Sequence, residues 1–332
     1  MADGDTLVTT PSSFDVLHFS TVFPGRGLPR LVRRIESYGV RVVYDLEDTH
    51  WIPTDAVFTT ELKRRARLDL AALLDSPFVA GSSFGVKVNA FGTEDGDLDV
   101  AMLASLAPHH RPHTIILPMV ESAATVESFL GVCEGAGIMC DEVIPLIETT
   151  LGVDRADNLL RTLSAANVGP SVRRLMYGAN DHCLDSGRWP FWSQDEPGFW
   201  ETVRGLVRTI EAHGFSYVHT PFAGLHAPAE FSVAIQRLRS VCRDRFTVST
   251  LDKGQVTAAL RVRDESPSAQ DAARGRKISD VEALERAYRV VKLFDDRRRR
   301  DHGFVVDSGR FVPPHEYVAA LRYIERRTRA RI

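Results

Sequence analysis

The chain has 332 residues, 44% of them hydrophobic and 26% charged, with a formal net charge of −3. That balance excludes a disordered chain, and it excludes a general nucleic-acid binder, which would carry a basic surplus. No run approaches the ~18 apolar residues of a membrane helix, and the opening MADGDTLVTTPSSF carries two acids and no apolar core, so it does not read as a signal peptide. The four cysteines, Cys133, Cys140, Cys183 and Cys242, show no CxxC pairing and read as reduced thiols. The expected location is therefore cytoplasmic.

Short β-type runs alternate along the chain with longer amphipathic stretches. VLHFS (16–20) precedes a helix-like stretch over 28–38, and VRVVYDLE (40–47) precedes another over 60–75. SFGVKVNA (83–90), TIILPMVE (114–121), EVIPLIE (142–148), RRLMYGAND (173–181), FSYVHTPF (215–222) and RFTVST (245–250) follow. Each is separated from the next by enough chain for a crossover helix. The runs are near-continuously apolar, as strands are when helices cover both faces of a parallel sheet. Eight strands with a closing helix at 253–264 predict an α/β fold, a (β/α)8 TIM barrel over 1–264. The competing open doubly wound sheet lacks its glycine-rich turn after the first strand.

Residues 264–280 are polar and helix-breaking and read as a linker. Ser279, with Glu282 three residues later, predicts a capped helix over 279–296, followed by the basic run Arg297–Arg300, the segment HGFVVDSGRFVPPH (302–315) and a last helix. Residues 265–332 thus form a linker and a C-terminal helical lid, expected to pack on a neighbouring subunit. The arginine run reads as a solvated face or subunit contact rather than a nucleic-acid site.

Polar residues gather at the C-terminal ends of the apolar runs: Asp45, Glu47 and Asp48, then Lys87, Glu148 and Asp181. In a barrel these ends open onto one rim, where active sites are built. Several acids on one rim need a cation, a substrate or shared protons to relieve their repulsion.

In order along the chain, FPG (23–25), YDLEDTH (44–50), KVNAFGT (87–93), LPMVESA (117–123), IETTLGV (147–153) and YGANDHCLDSG (177–187) resemble the motifs of the HpcH/HpaI aldolase and citrate lyase β-subunit superfamily, which includes malyl-CoA and citramalyl-CoA lyases. The resemblance implies a (β/α)8 barrel, a homotrimer or hexamer, and Mg²⁺ or Mn²⁺ held by Glu148 and Asp181. Two carboxylates on adjacent strand ends independently suit a hard cation. By the same resemblance Asp45, Glu47 and Asp48 support the site, and Lys87 stands where the family has the arginine that clamps a substrate carboxylate. Such sites make or break a carbon–carbon bond beside a carbonyl through a metal-stabilised enolate. The substrate class is a 2-oxo acid or β-hydroxy acid, free or as a coenzyme A ester; membranes and nucleic acids are not partners.

Three departures bear on specificity. Lys87 loses the planar fork of arginine, Met119 replaces a lysine, and Val312 stands where the family's lid carries a catalytic acid. Candidate proton carriers are His50 first, His182 second and Asp307 third, with His219 also on a strand. The loop 185–200, with Trp189, Phe191, Trp192, Phe199 and Trp200, is expected either to overhang the mouth as a pocket wall or to pack beneath a subunit. Two further readings remain: a specialised biosynthetic aldolase performing aldol addition on a non-CoA substrate, and a non-catalytic relative.

Overall fold

The computed structural model describes residues 14–22, 27–77, 79, 83–106, 109–166, 171–243, 245–265, 278–296 and 302–329. The FPG turn, the linker over 266–277 and the Arg297–Arg300 run lie outside the described residues. Eight parallel strands close into a barrel, as the sequence predicts: β1 (Phe14–Thr21), β2 (Arg41–Asp45), β3 (Phe84–Lys87), β4 (Pro112–Leu117), β5 (Glu142–Ile147), β6 (Arg174–Tyr177), β7 (Ser216–Val218) and β8 (Phe246–Thr250). Closure is made by β1, which pairs Leu17 with Arg41 of β2 and Phe14 with Phe246 of β8.

The apolar runs supply two separate cores. Leu17, Val43, Ile116, Ile144, Met176 and Val218 meet inside the barrel. The alternate residues, Val42 and Tyr44 of β2 among them, pack outward under the helical layer. This two-sided burial is why these strands read as unbroken hydrophobic runs. Helices α1 (Gly27–Glu36), α2 (Ala56–Leu74), α3 (Glu94–Leu106), α4 (Ala123–Gly135), α5 (Thr150–Asp154), α6 (Ala156–Ala165), α7 (Ala179–Asp185), α8 (Pro197–Ala212), α9 (Pro228–Val241) and α10 (Lys253–Asp264) connect and close the strands. Among the described residues no helix is long and apolar enough to cross a membrane.

The third strand ends earlier than its apolar run. Beyond Lys87, Asn89 leaves the sheet: its backbone N–H and Nδ2 donate to Asp99 at 2.7 and 2.8 Å, and Nδ2 also reaches the Leu46 carbonyl. Asp99 is fully buried and takes Arg67 Nε at 2.6 Å. This network ties the end of β3 to the end of β2, so the two strand ends bearing the site are held together by buried charge.

Two of the histidines buried in the barrel, His113 and His219, lie away from the cavity described below. His113 of β4 meets Thr114, and His219 sits between Tyr217 and Gln194 while stacking on Trp200. Burial pushes His219 down from 6.5 to about 3 and His113 down to about 4. Both therefore stay neutral in the folded chain while the unfolded chain takes up protons below pH 6.5. Their stabilising effect is complete above that pH and is lost as the pH falls toward 4 and then 3. Each adds a slope of up to ~1.4 kcal/mol per pH unit. Urea unfolding from pH 7.5 to 4.5 is expected to show stability falling below pH 6.5, and His219→Gln is expected to flatten the curve; the same slope in the variant would remove His219 as its cause.

After the barrel come α11 (Asp280–Asp295), a hairpin of β9 (Val305–Asp307) and β10 (Arg310–Val312), and α12 (Pro314–Arg329). Ser279 and Glu282 form the expected capping box at α11. Within the chain, the C-terminal segment lies against the mouth of the barrel. Gly303 N–H donates to Thr49 O at 2.7 Å, and Phe311 N–H to Ala223 O at 2.8 Å. A Cβ on Gly303 would overlap the backbone of Trp51, so only glycine permits this approach. The aromatic loop docks the same segment: Trp189 Nε1 donates to Ala283 O at 2.9 Å and its ring meets Tyr323, while Phe191 packs beside Ala319 of α12.

Candidate active site

The strand ends on one rim surround a cavity of about 290 Å³. Asp45, Asp48, Lys87, Glu148 and Asp181 all contribute to its wall. Asp45 closes β2 and is buried. Its carboxylate accepts from the backbone N–H groups of Glu47 at 2.9 Å and Thr49 at 3.1 Å. Those bonds shape the loop after β2 and aim Glu47 and Asp48 at Lys87, so Asp45 is a positioning residue.

Lys87, at the end of β3, is buried with its ammonium 2.8 Å from Glu47 Oε2 and hydrogen-bonded to Asp48 Oδ2. Burial disfavours its charge, but Asp48 and Glu47 outweigh that and raise its pKa well above the ordinary lysine value. Burial likewise works against ionisation of Asp48, yet Lys87 and His315 hold that carboxyl below its usual range. Glu47 goes the other way: burial, against the pull of Lys87 and with Asp48 alongside, pushes it up to about 8.

Glu148 follows β5 and is almost fully buried, with Oε1 accepting from Met119 N–H at 2.9 Å. Met119 adopts a positive φ of 56° to make this bond and turns a half-exposed side chain outward. A Cβ at Gly178 would overlap the Glu148 carboxylate, so the glycine after β6 is the floor beneath it. Burial and the facing Asp181 raise the Glu148 pKa well above the ordinary glutamate value. Asp181 lies in the first turn of α7, where its Oδ1 is 2.8 Å from His315 Nε2.

His315 is the residue sequence reasoning missed. It stands at the start of α12, almost fully buried, with Nε2 also 3.5 Å from Asp48 Oδ1. Burial opposes its charge, but Asp181 and Asp48 raise its pKa to about 9. Asp48, Asp181 and His315 each offer one donor atom within 4.8 Å of the others. The one available sequence signal was the histidine after the Pro313–Pro314 pair that starts a helix.

The expected proton carriers His50, His182 and Asp307 are not among the residues lining the cavity. His50 is buried away from the cavity, its Nε2 donating to Val22 O and its Nδ1 against Thr49 Oγ1, both at 3.2 Å. His182 follows Asp181 in sequence but turns to Tyr177 Oη at 2.7 Å and the Trp192 ring. Asp307 pairs with Arg289 at 2.7 Å on the outside of the hairpin, and Val312 is buried in the C-terminal core. Nor do the five loop aromatics line the cavity. Its apolar wall comes instead from Leu31, Leu225, Leu251, Phe304 and Phe311.

No protein-family model matches the chain, and no curated protein sequence does. Solved structures do. Malate synthase from Haloferax volcanii, in its pyruvate/acetyl-CoA ternary complex, is 14% identical, with 94% of this chain and 90% of that chain covered and a TM-score of 0.67. The citrate lyase beta subunit of M. tuberculosis, complexed with oxaloacetate and magnesium, is 19% identical over 76% of this chain and 98% of that chain, with a TM-score of 0.55. RipC from Yersinia pestis is 18% identical over 76% and 96%, with a TM-score of 0.55. The chain therefore shares the barrel fold of the proteins whose motifs its sequence resembles.

Proposed function

We propose that the chain is a divalent-metal-dependent carbon–carbon lyase or aldolase acting on a 2-oxo acid or a β-hydroxy acid. One observation carries the reading: Asp48, Glu148 and Asp181 line a single cavity together with Lys87 and His315, the cationic groups facing them, while Glu47 pairs with Lys87 behind its wall. Such a donor set is suited to a hard cation, and Glu148, whose ionisation burial and the facing Asp181 oppose, is a carboxyl that a cation would help to ionise. Glu148 and Asp181 would hold the ion. When bound, it supplies Lewis-acid polarisation of the substrate's carbonyl and carboxylate oxygens.

The chain's own groups do the rest. Lys87 fixes positive charge beside the strand ends, where the oxygen next to the breaking bond gains negative charge. Glu47 and Asp48 hold that ammonium in place. Gly178 leaves room for the Glu148 carboxylate, and the hairpin residues Phe304 and Phe311 shield the cavity from water.

The cavity of about 290 Å³ is of a size for a small acid and a short acceptor. Because Lys87 is already paired with two carboxylates, the clamp on a second substrate carboxylate is weakened. That pairing and the apolar wall favour addition to, or cleavage from, an apolar carbonyl partner without coenzyme A. It is the specialised-aldolase reading. The fold neighbours support the reaction class, since one holds oxaloacetate with magnesium and another pyruvate with acetyl-CoA.

The test is release of a 2-oxo acid from a panel of β-hydroxy acids, free and as esters, before and after chelation. Turnover is expected to vanish in EDTA and to return with Mn²⁺ or Mg²⁺. Undiminished turnover in excess EDTA, with no metal found by elemental analysis, would refute the proposal.

A further inference from the structure

Three side chains from distant parts of the sequence meet at one point of the rim: Asp48 from the loop after β2, Asp181 from α7 and His315 from the start of α12. His315 Nε2 lies 2.8 Å from Asp181 Oδ1 and 3.5 Å from Asp48 Oδ1. Separations of roughly 2.8–3.6 Å between donor atoms are those found around a cation with ~2.0–2.2 Å bonds. We propose that His315, giving up its Nε2 proton to solvent as the ion enters, is a cation ligand beside Asp48 and Asp181, and that the site therefore selects an imidazole-preferring divalent ion such as Co²⁺ or Zn²⁺ over Mg²⁺. The inference rests on the reading that Asp181 binds a cation, and adds to it which residues complete the site and which ions they choose.

The surroundings hold these donors in place. Asp48 Oδ2 accepts from Lys87 Nζ, which leaves Oδ1 turned toward His315. The His315 ring lies 5.0 Å from that of Trp51. Its Nδ1 has no hydrogen-bond partner among the described residues, so the rim carboxylates are its polar contacts there. The backbone beneath it is fixed by the next residue. Glu316 is fully buried and is gripped by Arg310 of β10, Nη1 at 3.0 Å, and by Arg286 of α11 at 3.5 Å. A nitrogen donor in the set changes the ion of choice, because Mg²⁺ demands oxygen ligands whereas imidazole suits the later transition metals.

The experiment compares Co²⁺, Zn²⁺ and Mg²⁺ binding to the full chain by calorimetry, with each metal added alone. The Co²⁺ visible spectrum and the ¹⁴N modulation in pulsed EPR of the Mn²⁺-loaded protein are recorded beside it. Wild type is expected to bind Co²⁺ at least ~10-fold more tightly than Mg²⁺ and to show imidazole nitrogen on Mn²⁺. His315→Gln should lose ~10-fold or more in Co²⁺ affinity, change Mg²⁺ affinity by less than ~3-fold, and lose the nitrogen signal. Equal losses for both ions, or an unchanged Co²⁺ spectrum in His315→Gln, would overturn the inference. Should that variant fail to fold, absence of the nitrogen signal in wild-type protein overturns it equally. A chain that binds cations through Asp181 without His315 leaves the proposed function standing, whereas a chain that binds none overturns both.

Discussion

Asp181→Asn is expected to fold and yet to lose turnover by roughly three orders of magnitude or more. Asp181 is one of two carboxylates assigned to the cation, and it lies on a short helix at the rim rather than in either barrel core. Removing its charge leaves the strand packing intact while removing a ligand whose ion stabilises the transition state by several kcal/mol, about 10³-fold in rate. Glu148→Gln should behave alike in turnover. It should also remove a carboxyl whose charge burial and the facing Asp181 both oppose, so the cation-free variant should be no less stable than wild type. The measurements are kcat on the best substrate and bound metal by elemental analysis. Variants with full metal content and full turnover would take both residues out of the site.

The second large effect concerns Lys87. Its ammonium is the shared partner of Glu47 and Asp48, and all three lie at the buried junction of β2 and β3. Lys87→Met leaves two carboxylates facing each other without that cation. Breaking a buried pair from one side typically costs about 3–5 kcal/mol, so the cation-free variant should unfold at much lower urea, and added divalent cation should recover part of the loss. Lys87→Arg keeps the charge but inserts a larger, planar head into a packed position, at about 1–3 kcal/mol. Turnover on the true substrate should fall tenfold or more, because the ammonium is placed by two carboxylates and not by the substrate alone. A Lys87→Met protein as stable as wild type would show that the cluster does not depend on this cation.

The barrel was legible because each strand is buried on both faces, which writes it into the sequence as an apolar run between helical stretches. The rim acids were legible because they sit at the ends of those runs. Side-chain direction was not. Asp48, Thr49 and His50 form a single 3₁₀ turn, in which successive residues point about 120° apart. Asp48 therefore faces Lys87 while His50, two residues on, faces the Val22 carbonyl. The same blindness affects His182, carried past the rim by α7. His315 was hidden for a different reason. The family pattern draws attention to the positions of Asp307 and Val312, but a tight turn at Ser308 and Gly309, both at positive φ, folds the hairpin back. That fold sends Asp307 outward to Arg289 and brings the residue after Pro313–Pro314 inward. The loop aromatics were visible as a cluster, but composition alone cannot say that tryptophan and phenylalanine dock a following helix rather than line a cavity.

The hairpin that seals the barrel mouth and delivers His315 belongs to the same polypeptide as the rim it covers. Within one chain, completing the site is then the docking of a tethered segment onto the rim, governed by the contacts the hairpin makes there. A tethered segment meets its target at an effective concentration in the millimolar range, so each ~1.4 kcal/mol of docking energy changes the ratio of closed to open chains tenfold. Substitutions at Gly303 or Glu316, neither of which is assigned contact with substrate, would thus scale the population of competent molecules while leaving the chemistry of each competent molecule unchanged.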